Sequence, residues 1–177
     1  MFNIGDYSLK VIETPGHTEG HVCLYDESKK LFFSGDHVLG DITPNIQAWT
    51  NDNDPLGNYI KSLKKVRELD VELCLPGHRN FIRDLKARID ELIEHHRIRA
   101  NEVLEILEKS PNNAYDMASK MTWDIVAKTW DDLPAMQKWF ATGEAIAHLR
   151  YLEDKNIIAR EMRDGKIFYS AEIGVRI

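Results

Sequence analysis

The sequence predicts an α+β protein in which a small sheet with one covering helix comes first and a helical domain follows. Three observations carry this expectation. Short apolar runs bounded by turn residues recur up to Pro76, apolar residues recur every three or four positions after His78, and Asp164-Gly165 separates two late strand-like runs. The division therefore falls near residue 83, with residues 1–83 forming the sheet part and 84–177 the helical part. A chain of 177 residues that is 43% hydrophobic can bury one ordinary core or two small ones.

Residues 8–13, 22–26, 30–34 and 72–75 read as strands, with Asp26-Glu27-Ser28-Lys29 as the hairpin turn between the second and third. A helix over residues 57–69 fits between the last two, because Tyr59, Ile60, Leu63, Val66 and Leu69 fall on or near one face. Residues 38–55 form a long loop rich in Asp, Asn and Pro, with Ile42, Ile46 and Trp49 as scattered apolar residues. Loops of that length are usually either functional or disordered. Since it starts directly after Asp36, it is expected to roof a site. A long helix over 84–109 ends at Ser110-Pro111, and further helices are expected over 114–121, near 133–140, and over 143–154 with Thr142 as N-cap. The runs 157–162 and 166–170 then form a hairpin through Asp164-Gly165. Three helices closed by a hairpin resemble a winged helix.

The formal net charge of -6 gives no global attraction to nucleic acid or anionic lipid, which favours a small-molecule partner. No stretch approaches the roughly 20 apolar residues of a membrane span, and the first residues lack a basic segment followed by an apolar run. Cytoplasm is the expected location. Cys23 and Cys74 stand in apolar contexts with no neighbouring cysteine, so two buried free thiols are expected.

The octapeptide Thr14-Pro15-Gly16-His17-Thr18-Glu19-Gly20-His21 is followed in order by Ser34-Gly35-Asp36 and Pro76-Gly77-His78. Each places His17, Asp36 or His78 directly after a glycine at the expected end of a strand, where a sharp turn can project a side chain from a fixed platform. Imidazole and carboxylate donors suit zinc, with manganese or iron as alternatives.

On these motifs the chain resembles the metallo-β-lactamase superfamily. Residues 8–78 look like the C-terminal half of its αββα sandwich, and the helical tail resembles the winged-helix extension of a hydrolase subgroup. The resemblance implies that His17 binds a first zinc, Asp36 bridges two, and His78 binds the second. Asp36 is thereby the candidate catalytic residue. The intact chemistry would be metal-assisted hydrolysis of an ester, thioester or phosphodiester, with a small-molecule ester or thioester preferred over nucleic acid.

The family's leading motif, H-x-H-x-D-H, is absent from this sequence. His95-His96 cannot replace it, since adjacent helical residues point about 100° apart. The expectation is therefore a fragment with one ligand for each metal plus the bridge, partial or weak zinc binding, and doubtful activity alone. Half a sandwich exposes a sheet face, so a homo-oligomer is expected. The alternative is a non-catalytic winged-helix module that binds nucleic acid or dimerises. Arg160, Arg163 and Lys166 in the hairpin favour nucleic acid, but Glu144, Glu153 and Asp154 beside Arg150 oppose it.

Several other residues are candidates for supporting roles. His21 is expected beside the ligands and not among them, and His37 either lines the cavity or packs. His95, His96 and His148 are expected to be solvated or at a core edge. Arg79 could meet an anionic substrate or simply lie at the surface. Trp123, Trp130, Trp139 and Phe140 are expected to pack within the helical part, with a wall of the cavity as the alternative.

Overall fold

A computed structural model describes residues 1–48, 53–124 and 129–177. Trp49 lies outside the described residues. The chain folds as two compact units, Met1–Ile46 with Pro55–His95, and Gln47–Asp54 with His96–Ile177.

The first unit is a five-stranded sheet in the order β1 (Phe2–Ile4), β2 (Tyr7–Glu13), β3 (Val22–Asp26), β4 (Leu31–Gly35) and β5 (Leu73–Pro76). β1 to β4 pair antiparallel, whereas β5 runs parallel to β4. A parallel pair needs a crossover, and α1 (Pro55–Arg67) supplies it. Leu56, Tyr59, Leu63 and Val66 of α1 are fully buried, as their three- and four-residue spacing requires. β1 has no signal in the sequence because its three residues are all exposed and show no alternation. It is held by a tight turn in which Gly5 takes φ of 56°.

Strand register sorts the sheet into two faces. Tyr25, Phe32 and Cys74 align on one face and are buried. Val11, Leu24, Phe33 and Leu75 align on the other and keep partial exposure. Phe2, Ile4, Tyr7 and Val22 remain exposed.

The long helix α2 (Leu85–Leu107) contributes to both units, giving Leu85, Ile89 and Leu92 to the first and Val103, Leu104 and Leu107 to the second. In the second unit these last residues meet Met117 and Ala118 of α3 (Ala114–Lys120), Ala145, Leu149 and Leu152 of α4 (Ala135–Asp154), and Ile158 and Tyr169 of the hairpin β6 (Ile158–Arg163) and β7 (Lys166–Ala171). Asn112 pairs with Tyr169 through two backbone hydrogen bonds, adding a one-residue bridge beside β7. Among the described residues no helix is long and apolar enough to cross a membrane.

Four sequence expectations need correction here: the division of the last helix, the Thr142 cap, the setting of His96 and His148, and the packing of Trp139 and Phe140. The helices near 133–140 and over 143–154 are one continuous helix, α4. Thr142 does not cap it; its hydroxyl donates to the Lys138 carbonyl at 2.7 Å, one turn back inside the helix. Gly143 sits where a Cβ would come within 3.0 Å of the Gln47 side chain, so its small size reflects close packing and not a helix end. His96 and His148 are buried, with Nδ1 of the first 3.3 Å from Nε2 of the second. His148 shares the inward face of α4 with Ala145, Leu149 and Leu152, and His96 precedes Ala100 and Val103 by four and seven positions. The aromatic residues divide. Trp123 and Trp130 pack against the second core, but Trp139 and Phe140, next to inward-facing Ala141, are exposed.

Candidate metal centre

Strand direction brings the candidate donors to one edge of the sheet. β3 is antiparallel to both β2 and β4, so β2 and β4 run the same way, and β5 is parallel to β4. The C-terminal ends of β2, β4 and β5 therefore share an edge. His17 follows β2 in the loop to β3, Asp36 directly follows β4, and His78 lies two residues past β5. Two further backbone bonds fix their spacing: Thr14 N–H donates to the His21 carbonyl at 2.8 Å and Gly77 N–H to the Gly35 carbonyl at 2.8 Å.

The three donors meet at one carboxylate. His17 Nε2 lies 3.8 Å from Asp36 Oδ2 and His78 Nε2 lies 3.3 Å from Asp36 Oδ1. Oδ1 is buried yet accepts no hydrogen bond among the described residues, His78 being near it without bonding alignment. Leaving a buried carboxylate oxygen without a partner is costly, and a cation is the natural remedy. His17 Nδ1 is 2.8 Å from the Asn45 carbonyl. A carbonyl can only accept, so Nδ1 carries a proton and the ring is held with Nε2 on the side of Asp36. Such a backbone anchor is how metal-binding imidazoles are generally oriented. The donor types suit a metal, while among the described residues no group of three His, Cys, Asp or Glu is gathered closely enough to hold one.

The glycine before each donor makes room for a neighbour. A Cβ on Gly16 would lie 2.5 Å from Tyr59 Cβ, one on Gly35 would lie 2.9 Å from His21 Nε2, and one on Gly77 would lie 2.9 Å from Asp36 Oδ1. α1 secures the first loop, with Ser62 donating to the Pro15 carbonyl at 2.9 Å and Tyr59 to the His37 carbonyl at 2.9 Å. His37 is fully buried, with its ring edge-on to Tyr59. Burial, aided by the nearby His21, pushes its pKa down to about 3. His21 is also held below its ordinary value, by burial first and then by His17, while Asp36 acts the other way.

Of the residues named from sequence, His17, Asp36 and His78 are brought together, and His21 joins them through the Asp36 backbone N–H, 3.2 Å from its Nε2. His95 is half-buried on α2, and Arg79 is an exposed residue with φ of 68°. Sequence reasoning missed Asn45 and Arg88. The Arg88 guanidinium donates to the Leu39 and Ile42 carbonyls at 2.8 and 3.0 Å, tying the segment after Asp36 to α2. Both residues act at backbone carbonyls, which leave no trace in residue type.

Residues 3–78 match the metallo-beta-lactamase superfamily and residues 100–172 match the metallo-beta-lactamase-like C-terminal domain, so the chain carries the domains of that superfamily. Its relatives make the likeness more particular. A beta-lactamase-like protein 2 homolog from Caenorhabditis elegans is 34% identical over 102 residues, 58% of this chain and 32% of that protein. The probable metallo-hydrolase YqjP of Bacillus subtilis is 24% identical over 164 residues, 90% of this chain and 49% of that one. Among solved structures, a beta-lactamase domain protein from Burkholderia ambifaria superposes with a TM-score of 0.88 at 30% identity, over 97% of this chain and 50% of that chain. A metallo-beta-lactamase family protein from Thermus thermophilus gives 0.79 at 26% identity, over 97% and 52%. The matched stretch thus spans a third to a half of these curated relatives.

Proposed function

We propose that this chain supplies one half of a two-zinc hydrolase centre acting on a small-molecule ester or thioester. His17, Asp36 and His78 would hold the metals, with Asp36 shared between the two. When bound, the metal pair supplies an activated water and neutralises charge developing on a substrate oxygen. The chain's own residues do the rest: the Asn45 carbonyl orients the His17 ring, Asp36 presents a buried oxygen lacking a hydrogen bond, and the sheet edge sets the spacing. Three donors cannot complete two catalytic zinc sites, each of which usually holds three protein ligands. On this reading further ligands would be needed to complete the centre, and metal binding by this chain alone would be weak.

The observation that carries the reading is the buried Asp36 Oδ1 with no hydrogen bond and an imidazole Nε2 near each carboxylate oxygen. Cobalt titration followed by calorimetry and visible absorption tests it. Wild-type protein should bind weakly with an imidazole–carboxylate spectrum, and Asp36→Asn should lose at least about tenfold in affinity, as loss of one well-placed charge interaction implies. No cobalt binding by the wild type, or unchanged binding by Asp36→Asn, sinks the proposal.

We read the second unit as a winged-helix-like module for packing or dimerisation. Arg160 is paired with Glu153 at 2.8 Å and Arg163 with Glu161, which engages two of the hairpin's cations internally and disfavours a phosphate-binding role. Two buried thiols outside any disulfide suit a reducing compartment such as the cytoplasm.

A further inference from the structure

We propose that His21 is a positioning residue that fixes the Asp36 backbone through a single imidazole tautomer, with Nδ1 protonated and Nε2 accepting. This rests on Asp36 being the bridging ligand. β3 runs opposite to its neighbours β2 and β4, so its leading end lies at the edge where their trailing ends carry His17 and Asp36. His21 immediately precedes β3 and stands between them.

The direction of its hydrogen bonds is fixed from both ends of one chain of groups. At one end, Asp36 N–H can only donate, so His21 Nε2, 3.2 Å away, must accept. At the other, the Ser34 carbonyl can only accept, so Cys23 S–H donates to it at 3.4 Å. The Cys23 sulfur is 3.2 Å from Thr14 Oγ1 and its one proton is already committed, so the Thr14 hydroxyl has its donor side on acceptors, the Cys23 sulfur and the His21 carbonyl 3.5 Å away. Thr14 Oγ1 is then left to accept from His21 Nδ1 at 2.8 Å. The two ends demand the same tautomer. The chain leaves β4 just after its last residue and returns to Ser34 near its end, so it braces the Asp36 turn against β2 and β3. Thr14, Cys23 and Ser34 are all fully buried.

Gly35 is the independent observation. Any side chain there would put a Cβ 2.9 Å from His21 Nε2, so the residue before Asp36 is the one whose bulk would expel the imidazole. Asn at position 21 can reproduce an Nδ1-like donor but is too short to reach Asp36 N–H, whereas Gln carries an amide at the reach of Nε2.

Nitrogen NMR of the metal-free full chain reads the tautomer, and amide exchange reads the Asp36 N–H, so neither depends on metal. In the wild type, His21 Nδ1 is expected protonated, Nε2 bare, and the Asp36 amide protected. In His21→Asn, checked for folding by its circular dichroism, that protection is lost and cobalt affinity falls by about 10–100-fold, the usual cost of removing a group that orients a ligand. His21→Gln restores the protection and most of the affinity. A protonated Nε2 in the wild type, or His21→Asn behaving as wild type in both measurements, overturns the proposal. Wild-type protein with the expected tautomer but no cobalt binding would instead overturn the two-metal reading, and with it the purpose assigned to His21.

Discussion

Cys23 and Cys74 show how far one residue's surroundings decide its chemistry. Both thiols are fully buried. Burial pushes Cys23 up to about 12, partly offset by Thr14, and Cys74 up to about 11, partly offset by Ser34. A thiolate is the reactive form, so iodoacetamide at neutral pH should leave both unmodified in the native protein and label both in denaturant, as counted by mass spectrometry. Their burial was legible from apolar neighbours in the sequence. The convergence of His17, Asp36 and His78 was legible for a different reason: each follows a glycine at or just past a strand end. Asn45 was not, because its contribution is a backbone carbonyl whose position depends on the course of a loop with no periodicity. Replacing Arg88 by Ala removes two hydrogen bonds to that loop's carbonyls. The outcome expected is faster amide exchange over residues 39–42 and a stability loss of about 1–3 kcal/mol, as for charged donors to carbonyls.

Individual elements depend on their ends and on their mutual ion pairs. α3 begins at Asn113, whose side-chain oxygen accepts from Asp116 N–H at 3.0 Å. Asn113→Ala should therefore cost about 1 kcal/mol in urea denaturation. α1 and α2 are joined by a bidentate pair, Arg67 to Asp90 at 2.7 and 2.8 Å. The pair with Arg67 holds the Asp90 carboxyl below its ordinary value. A carboxyl lowered in the folded state contributes stability above its unfolded pKa, and loses it as pH falls through the lower folded value. Thermal melts of Asp90→Asn between about pH 2 and 6 should thus differ from wild type most at the upper end and converge at the lower. The pair is solvent-exposed, so the difference will be small. Element boundaries were the least legible feature. Ala141-Thr142-Gly143 reads as a helix start in sequence, but back-bonding by Thr142 and close packing at Gly143 keep α4 continuous, and both depend on three-dimensional neighbours.

Over the whole molecule, the α+β order of sheet then helices was legible because apolar period changes from alternation to helical spacing after His78. What could not be read was the pairing of β1, or the buried polar cluster in which Arg99 lies over the Trp123 ring at 4.4 Å and pairs with Glu102 and Glu144. The sheet face bearing Val11, Leu24, Phe33 and Leu75, flanked by exposed Tyr7 and Val22, is the surface for which we propose association. Sedimentation at micromolar concentration should show an oligomer, and Phe33→Asp should shift it toward monomer.

The octapeptide that leads to the site contains two glycines of opposite tolerance. Gly16 has Tyr59 backbone and side-chain atoms within 3 Å of where a methyl would stand, whereas Gly20, four residues later, has nothing within 4 Å. A saturation library across residues 14–21 would therefore record one glycine as immutable as His17 and the other as nearly free. The motif is two kinds of information written with the same letter: a volume that must stay empty, and a position where emptiness is incidental.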